Sequence, residues 1–262
     1  MRRIILLTAF VFIPSTVLAL SVAEIVKKAN AAAYYRGRDG RARVNMVITD
    51  SQGRRRTRNF TILRRDSEPA EDFTGDQKFY VYFNRPADVR KTVFMVWKHV
   101  NADDDRWLYL PALDLVKRIA ASDVRTSFVG SHFYYEDVSG RNPAADKHTL
   151  LEETKNYYVL KSVPKDPGSV EFSYYKTWIH KKTFIPVKTE YYDKSGKLYR
   201  KYQALKVETI DGYPTVVQAE MQDLAAGGKT TLSYMQVKYN LNLPESIFSE
   251  RYLRNPPIKY LR

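Results

Sequence analysis

From Arg41 to Asn240 the chain reads as β-strand almost without relief, and that run limits the fold more than any other feature. Candidate strands cover Ala42–Asp50, Thr57–Arg65, Lys78–Asn84, Thr92–His99, Arg106–Leu110 and Leu115–Ala120. A second series covers Asn156–Val163, Val170–His180, Pro186–Asp193, Leu198–Val207, Tyr213–Asp223 and Lys229–Asn240. Alternation of apolar and polar residues is clearest in Thr57–Leu63 and Val187–Tyr191, so those strands keep one face wet. The connectors are short and carry turn chemistry: Ser51-Gln52-Gly53, Asp193-Lys194-Ser195-Gly196, Asp211-Gly212 and Gly227-Gly228. Two-residue turns join antiparallel neighbours, whereas parallel strands need long crossovers. Strands of this length either close a barrel or curl partway round one. The expected architecture is mainly β: a single strongly curved antiparallel sheet, an unclosed β-barrel of about eleven strands, with helices on its concave side.

Two segments read as helical. Ser21 is placed as an N-cap, and Val22, Ile25, Val26, Ala29 and Ala33 recur at helical spacing before Gly37 and Gly40. An apolar stripe on a lone first helix has to lie on something, and a curved sheet is the available partner. At the other end Pro244 to Phe248 reads as a helix start and Pro256-Pro257 as a stop. Asp66–Asp76 is an acidic, turn-rich loop. Neither an internal repeat nor a linker divides the chain, so residues 20–262 are expected to form one domain.

The stretch from Trp107 to Val138 departs from this pattern. It opens as Trp-Leu-Tyr-Leu, breaks at Pro111, resumes through Leu115–Ile119, and ends in Ser127–Asp137, SFVGSHFYYED. That last piece packs aromatic residues around a glycine with neither a period of two nor one of 3.6. It reads as a plug: a turn at Gly130, Ser131 as an N-cap, and one short aromatic helical turn. A well-packed connection is the plainer alternative.

The same stretch carries a family resemblance. Trp107-x-Tyr109-x-Pro111, then Lys117-Arg118-Ile119, then Phe128-x-Gly130-Ser131-x-Phe133-x-Tyr135-Glu136-Asp137 resembles the outer membrane lipoprotein-sorting protein family. That family belongs to the periplasmic lipoprotein-carrier (LolA/LolB-like) superfamily. Weaker matching pieces are Pro86–Arg90, Ile210–Pro214 and Phe248–Leu253, so the likeness extends over nearly the full length. His132 stands where the family usually has an acid. The resemblance implies an unclosed barrel lidded by helices, a carrier function, and association with RND-type exporters of the inner membrane.

Arg2-Arg3 followed by an apolar run from Ile4 to Leu18, with small residues around Ala19, reads as a secretory signal cleaved near Ala19. Pro14 and the shortness of the run argue against a retained membrane anchor. With no cysteine in the chain, neither a lipidated N-terminus nor a disulfide is available. Removal of residues 1–19 leaves 41 basic against 29 acidic side chains, a net +12. Such a charge steers toward anionic membrane surfaces, acidic proteins or nucleic acid. Secretion to the periplasm points away from nucleic acid.

Catalytic and metal-binding patterns are scarce. His99, His132, His148 and His180 do not pair at ligand spacing, and Asp103-Asp104-Asp105 near His99 reads as a solvated turn rather than a metal site. Gly130-Ser131-His132 lacks the G-x-S-x-G frame of a nucleophile elbow. Adjacent Glu136 and Asp137 diverge on any regular element, which does not suit a shared substrate. An enzyme is not expected, nor is a cofactor. Two features remain. Ten arginines and two acids lie between Arg36 and Arg65, with Arg54, Arg55, Arg56 and Arg58 on one hairpin as a docking site for an anionic partner. Its plainer reading is a solvated edge kept soluble by charge. The aromatic residues Trp97, Trp107, Tyr109, Phe128, Phe133, Tyr135 and Trp178 are the candidate lining of an apolar ligand cavity, with Gly130, Ser131, His132 and Asp137 as its lid. The expected function is a periplasmic carrier of a lipid or lipoprotein acyl chain. The alternative is an adaptor that docks through the arginine hairpin and takes no lipid.

Overall fold

The computed structural model describes residues 19–67 and 75–262. The expected signal sequence, apart from Ala19, and most of the acidic loop lie outside the described residues. The first half of the sheet is β1 (Asp39–Thr49), β2 (Arg55–Asp66), β3 (Gln77–Arg85), β4 (Val93–Lys98), β5 (Asp105–Leu110) and β6 (Leu115–Arg118). The second is β7 (Asp146–Glu153), β8 (Tyr157–Pro164), β9 (Phe172–His180), β10 (Pro186–Asp193), β11 (Leu198–Ile210), β12 (Tyr213–Asp223) and β13 (Lys229–Tyr239).

All thirteen strands form one antiparallel sheet in the order β6-β5-β4-β3-β2-β1-β13-β12-β11-β10-β9-β8-β7. It is two hairpin meanders stitched together where β1 pairs with β13. β6 and β7 are the two outer edges and do not pair, so the sheet stays unclosed. Residues 119–145 therefore have to travel from one edge of the sheet to the other, and the plug lies within this connection. The sequence pattern missed β7. Its stretch DKHTLLEE is exposed over most of its length, and charged ends on an unpaired edge obscure any alternation.

Alternation along the strands divides the side chains between two faces. Val44, Met46, Phe60, Phe79, Val81 and Phe94 are buried on the inner face, together with Phe128 and Phe133 of the plug. Leu63, Tyr80, Val93, Met95 and Trp107 point the other way and are buried on the outer face. There they meet Leu243, Ile247, Phe248, Leu253 and Leu261 of the C-terminal segment.

Helices accordingly occur on both faces. α1 (Val22–Tyr34) starts in a capping box, with Glu24 N–H donating to Ser21 Oγ at 3.2 Å and Ser21 N–H donating to Glu24 Oε2 at 2.8 Å. Ile25 and Ala29 bury the helix against Leu160 of β8 and Ile179 of β9 on the inner face. α2 (Tyr135–Ser139) belongs to the plug. A 3₁₀ turn at Glu245–Phe248, α3 (Arg251–Arg254) and α4 (Ile258–Leu261) instead cover the outer face. Pro256-Pro257 interrupts this segment without ending it, because proline is tolerated just ahead of a helix. Asp39 directs the crossing to the outer face. Its buried carboxylate accepts from Leu241 N–H at 2.6 Å and Leu243 N–H at 2.8 Å, clipping the exit of β13 beside the start of β1.

Candidate functional site

The inner faces of the two meanders and α1 line a partly open cavity of about 440 Å³. One wall is apolar: Met46, Phe60, Ile62, Phe79 and Val81 of β1–β3, with Ala32 and Ala33 of α1. The facing wall carries hydroxyls as well, from Thr177, Thr189, Tyr191, Tyr202 and Tyr234, with Tyr34 at the end of α1. Phe128, Phe133, Asp137 and Val138 of the plug complete the lining. The volume falls within the range of about 300–1,000 Å³ typical of small-molecule sites.

The plug is a miniature hairpin held from both sides. Ser127 bridges Tyr134, and Phe128 N–H donates to the Phe133 carbonyl at 2.7 Å. At its tip both Val129 (φ 49°) and Gly130 (φ 77°) occupy the left-handed region. Glycine accepts this freely, whereas a β-branched residue does so under strain that its surroundings have to hold. Arg58 does the holding: its Nε donates to the Val129 carbonyl at 3.3 Å while its Nη1 pairs with Asp88 at 2.9 Å. From the other meander Arg200 of β11, 4% exposed, donates to the His132 carbonyl at 3.1 Å and pairs with Asp137. Its guanidinium lies 3.8 Å from the centre of the Tyr134 ring. Thr230 of β13 completes the set, accepting from His132 N–H at 3.0 Å and facing His132 Nδ1 at 2.8 Å. Ser131 does not cap α2. That place belongs to Tyr134, whose N–H donates to Asp137 Oδ2 at 2.6 Å, and Ser131 bonds locally with Phe133 instead.

Of the aromatic residues expected to line a cavity, Phe128 and Phe133 do so. Tyr135 is buried behind them, with its ring 5.0 Å from Phe94 and 5.6 Å from Phe128. Trp97, Trp107 and Tyr109 lie on the outer face. The two tryptophans meet edge to face at 4.9 Å, Trp97 Nε1 donates to the Phe248 carbonyl at 2.6 Å, and Tyr109 faces Arg254. Trp178 also points outward, under the Lys188 ammonium at 3.4 Å. These four are corrected by parity: each neighbours an inward residue on its strand, as Val96, Leu108 and Thr177 are. Arg58 is likewise corrected, from a docking residue to a buried support of the plug, because it shares the inward parity of Phe60. Arg55 and Arg56 are exposed, and Arg54 pairs with Asp50 at 2.7 Å.

The histidine, lysine and carboxylate groups around the plug are tied into hydrogen bonds. Burial lowers the pKa of His132, and the nearby Arg200 charge works in the same direction. Glu136 is raised by burial against the pull of Arg141 and Arg125, and it points away from Asp137. Lys98 is buried beneath the Tyr34 and Tyr35 rings, donates to the Ser139 carbonyl at 2.8 Å, and is lowered by burial to about 8. Both nitrogens of His99 face carboxylates, Asp76 at 3.0 Å and Asp105 at 3.3 Å. Asp104, expected in a solvated turn, is instead largely buried and pairs with Arg106 at 2.6 Å. Among the described residues, no three His, Cys, Asp or Glu side chains are grouped to hold a metal ion.

The architecture is thus an unclosed sheet whose edge-to-edge connection lines one side of an inner cavity. A family model described only as an uncharacterized protein matches residues 75–255. In fold the chain is similar to a DUF1329 family protein from Desulfovibrio piger, at 28% identity and TM-score 0.78, over 87% of this chain and 95% of that one. It is equally similar to a putative outer membrane lipoprotein-sorting protein domain from Vibrio parahaemolyticus, at 27% identity and TM-score 0.79, over 88% and 97%. The chain belongs to the matched family, and its fold is LolA-like. A LolA superfamily protein from Nitrosomonas europaea shares the LolA-like fold at 21% identity and TM-score 0.68, over 89% of this chain and all of that one. No curated protein matches the sequence. The likeness read from the central motif and the open-barrel expectation are both borne out.

Proposed function

We propose that this LolA-like protein is a periplasmic carrier that receives the acyl part of a lipid or lipoprotein in its inner cavity and shields it between envelope membranes. The observation that carries the reading is the partly open cavity of about 440 Å³ with one predominantly apolar wall. Burying each CH₂ contributes about 0.8 kcal/mol, so a chain of about fourteen carbons supplies roughly 10 kcal/mol of gross driving force. The similar Vibrio protein is named for lipoprotein sorting, which supports the same class of cargo. On this reading residues 1–19 are the export signal, residues 20–262 the carrier domain, and an RND-type exporter the source of cargo. The exposed Arg54–Arg56 tip makes transient contact with an anionic surface.

Two measurements test the proposal. Freshly purified protein analysed by native mass spectrometry should carry lipid, and Met46→Trp or Leu232→Trp, which fill the cavity, should abolish uptake of a fluorescent fatty acid while leaving the protein folded. Uptake unaffected by either filled variant overturns the assignment of the cavity. Mature protein should begin at or near Leu20; an intact Met1–Ala19 in the membrane fraction overturns the soluble carrier.

A further inference from the structure

The tyrosines of this protein fall into two groups. One group has hydroxyl partners: Tyr35 donates to the Gly75 carbonyl at 2.8 Å and Tyr80 to the Tyr252 carbonyl at 2.6 Å, and in the cavity wall itself Tyr175 donates to Asp146 at 2.7 Å and Tyr239 shares a hydrogen bond with Thr215 at 2.8 Å. Tyr34, Tyr191, Tyr202 and Tyr234 differ. All four line the cavity, and each keeps part of its surface open there. Among the described residues none of their hydroxyls has a protein hydrogen-bond partner and none is fully buried, so each is left to bond with whatever occupies the cavity. They come from α1, β10, β11 and β13, so the arrangement is one patch of the cavity wall rather than a local sequence accident.

These phenols are neutral donors. Burial raises the pKa of each, and the Asp137 charge adds to the rise in all four; Tyr234 is pushed up to about 12. Tyr34, Tyr202 and Tyr234 line the one cavity, and the first and last add to the rise of Tyr202. The charged groups of the lining are engaged elsewhere. Arg64 donates to the Tyr34, Arg36 and Gly37 carbonyls and to Asp66; Arg141 serves Asp146 and Glu136; Asp137 is paired with Arg200. Arg36, which also lines the cavity, donates to the Thr183 carbonyl and retains one buried, unpartnered Nε.

We propose that the cavity discriminates by headgroup: it takes an acyl chain bearing a neutral hydrogen-bonding group, an ester or alcohol, in preference to an ionised carboxylate. Tyr34, Tyr191, Tyr202 and Tyr234 are the specificity-determining donors, and the apolar wall of β1–β3 takes the chain. A site built to hydrogen-bond its ligand rejects the analogue that leaves those groups unpaired or brings an unpaired charge. The inference rests on the carrier reading and adds to it the chemistry of the cargo.

The test uses the mature full-length protein at pH 8, with N-phenyl-1-naphthylamine as a neutral fluorescent occupant of the cavity. It is displaced either by monolauroylglycerol or by laurate, which share one chain length and differ in the head. The glyceride should displace the probe at about ten-fold lower concentration than laurate, the worth of one to two net hydrogen bonds. Combining Tyr191→Phe, Tyr202→Phe and Tyr234→Phe should bring the two ligands within about two-fold of each other. If the triple variant does not fold, Tyr202→Phe and Tyr234→Phe alone should each reduce the preference by about two- to three-fold. Equal affinities in the wild type, a preference for laurate through Arg36, or a preference that survives the phenylalanines overturns the headgroup assignment alone. A wild-type protein that does not bind the probe overturns the carrier reading and this inference together.

Discussion

Truncating Phe128 to alanine tests whether the plug is part of the core or a loose lid. Phe128 is 3% exposed, and its ring lies 6.2 Å from Phe60, 5.8 Å from Phe83, 5.5 Å from Phe94 and 5.6 Å from Tyr135. Replacing a buried phenylalanine by alanine costs about 3–5 kcal/mol. Ring pairs add about 0.5–1.5 kcal/mol each beyond area burial, which places this site toward the upper end. One face of the ring borders the cavity, so part of the space left behind merges with existing volume and lowers the penalty. About 4 kcal/mol is the expected loss. At about 2–4 °C per kcal/mol for a domain of this size, the melting temperature should fall by about 8–16 °C. Urea unfolding followed by tryptophan fluorescence measures this well, because Trp97 and Trp107 sit on the outer face and report global rather than local loss of structure. A loss below about 1 kcal/mol with an unchanged denaturant slope would refute the reasoning, since it would make the plug separable from the core. Phe133→Ala is the comparison: it is 7% exposed and has no ring partner among the described residues, so it should cost about 3 kcal/mol and weaken ligand uptake more.

Arg200→Met should destabilise by about 3–5 kcal/mol, since it strands Asp137 beside the cavity, and adding Asp137→Asn should recover part of the loss in the same urea titration. Lys98 gives a pH signature. Its folded pKa of about 8 lies below the unfolded value of 10.5, so the unfolded chain binds more protons between these limits and stability rises with pH there. The rise should be read between about pH 8 and 9.5, before tyrosine ionisation in the unfolded state opposes it, and Lys98→Met should remove it. Reversing Arg54, Arg55 and Arg56 to Glu should weaken sedimentation with anionic liposomes at low salt and leave the melting temperature nearly unchanged; binding that persists would take the hairpin tip out of the docking surface.

Hairpin chemistry made the meander legible in the sequence, because Asp211-Gly212 and Gly227-Gly228 permit only close antiparallel returns. The place where the two halves meet was not legible. Pairing of β1 with β13 joins segments far apart in the chain, and no local signal records it. That pairing decides the rest, since it leaves β6 and β7 at opposite edges and sends the Ser127–Asp137 segment across the cavity. The segment itself was recognisable by its aromatic residues, but its supports were not. Arg58 and Arg200 look like any other basic strand residue until register brings one under Val129 and the other against Asp137.

The candidate lining illustrates which part of the pattern carries the information. Selecting aromatic residues by size gathered Trp97, Trp107, Tyr109 and Trp178, which face outward, and passed over Tyr191, Tyr202 and Tyr234, which face in. Parity would have separated them: Tyr191 shares its face with Thr189, Tyr234 with Leu232, and Tyr175 with Thr177. On an open sheet with two buried faces, hydrophobicity alone cannot say which face a residue serves, because both are apolar. What distinguishes the cavity face is the mixture of phenols and threonines among its apolar residues. The outer face under α3 and α4 fills its volume with side chains, whereas the inner wall leaves four hydroxyls open to the space they enclose. That difference, rather than the number of aromatic rings, is what sets the inner face apart from the outer one.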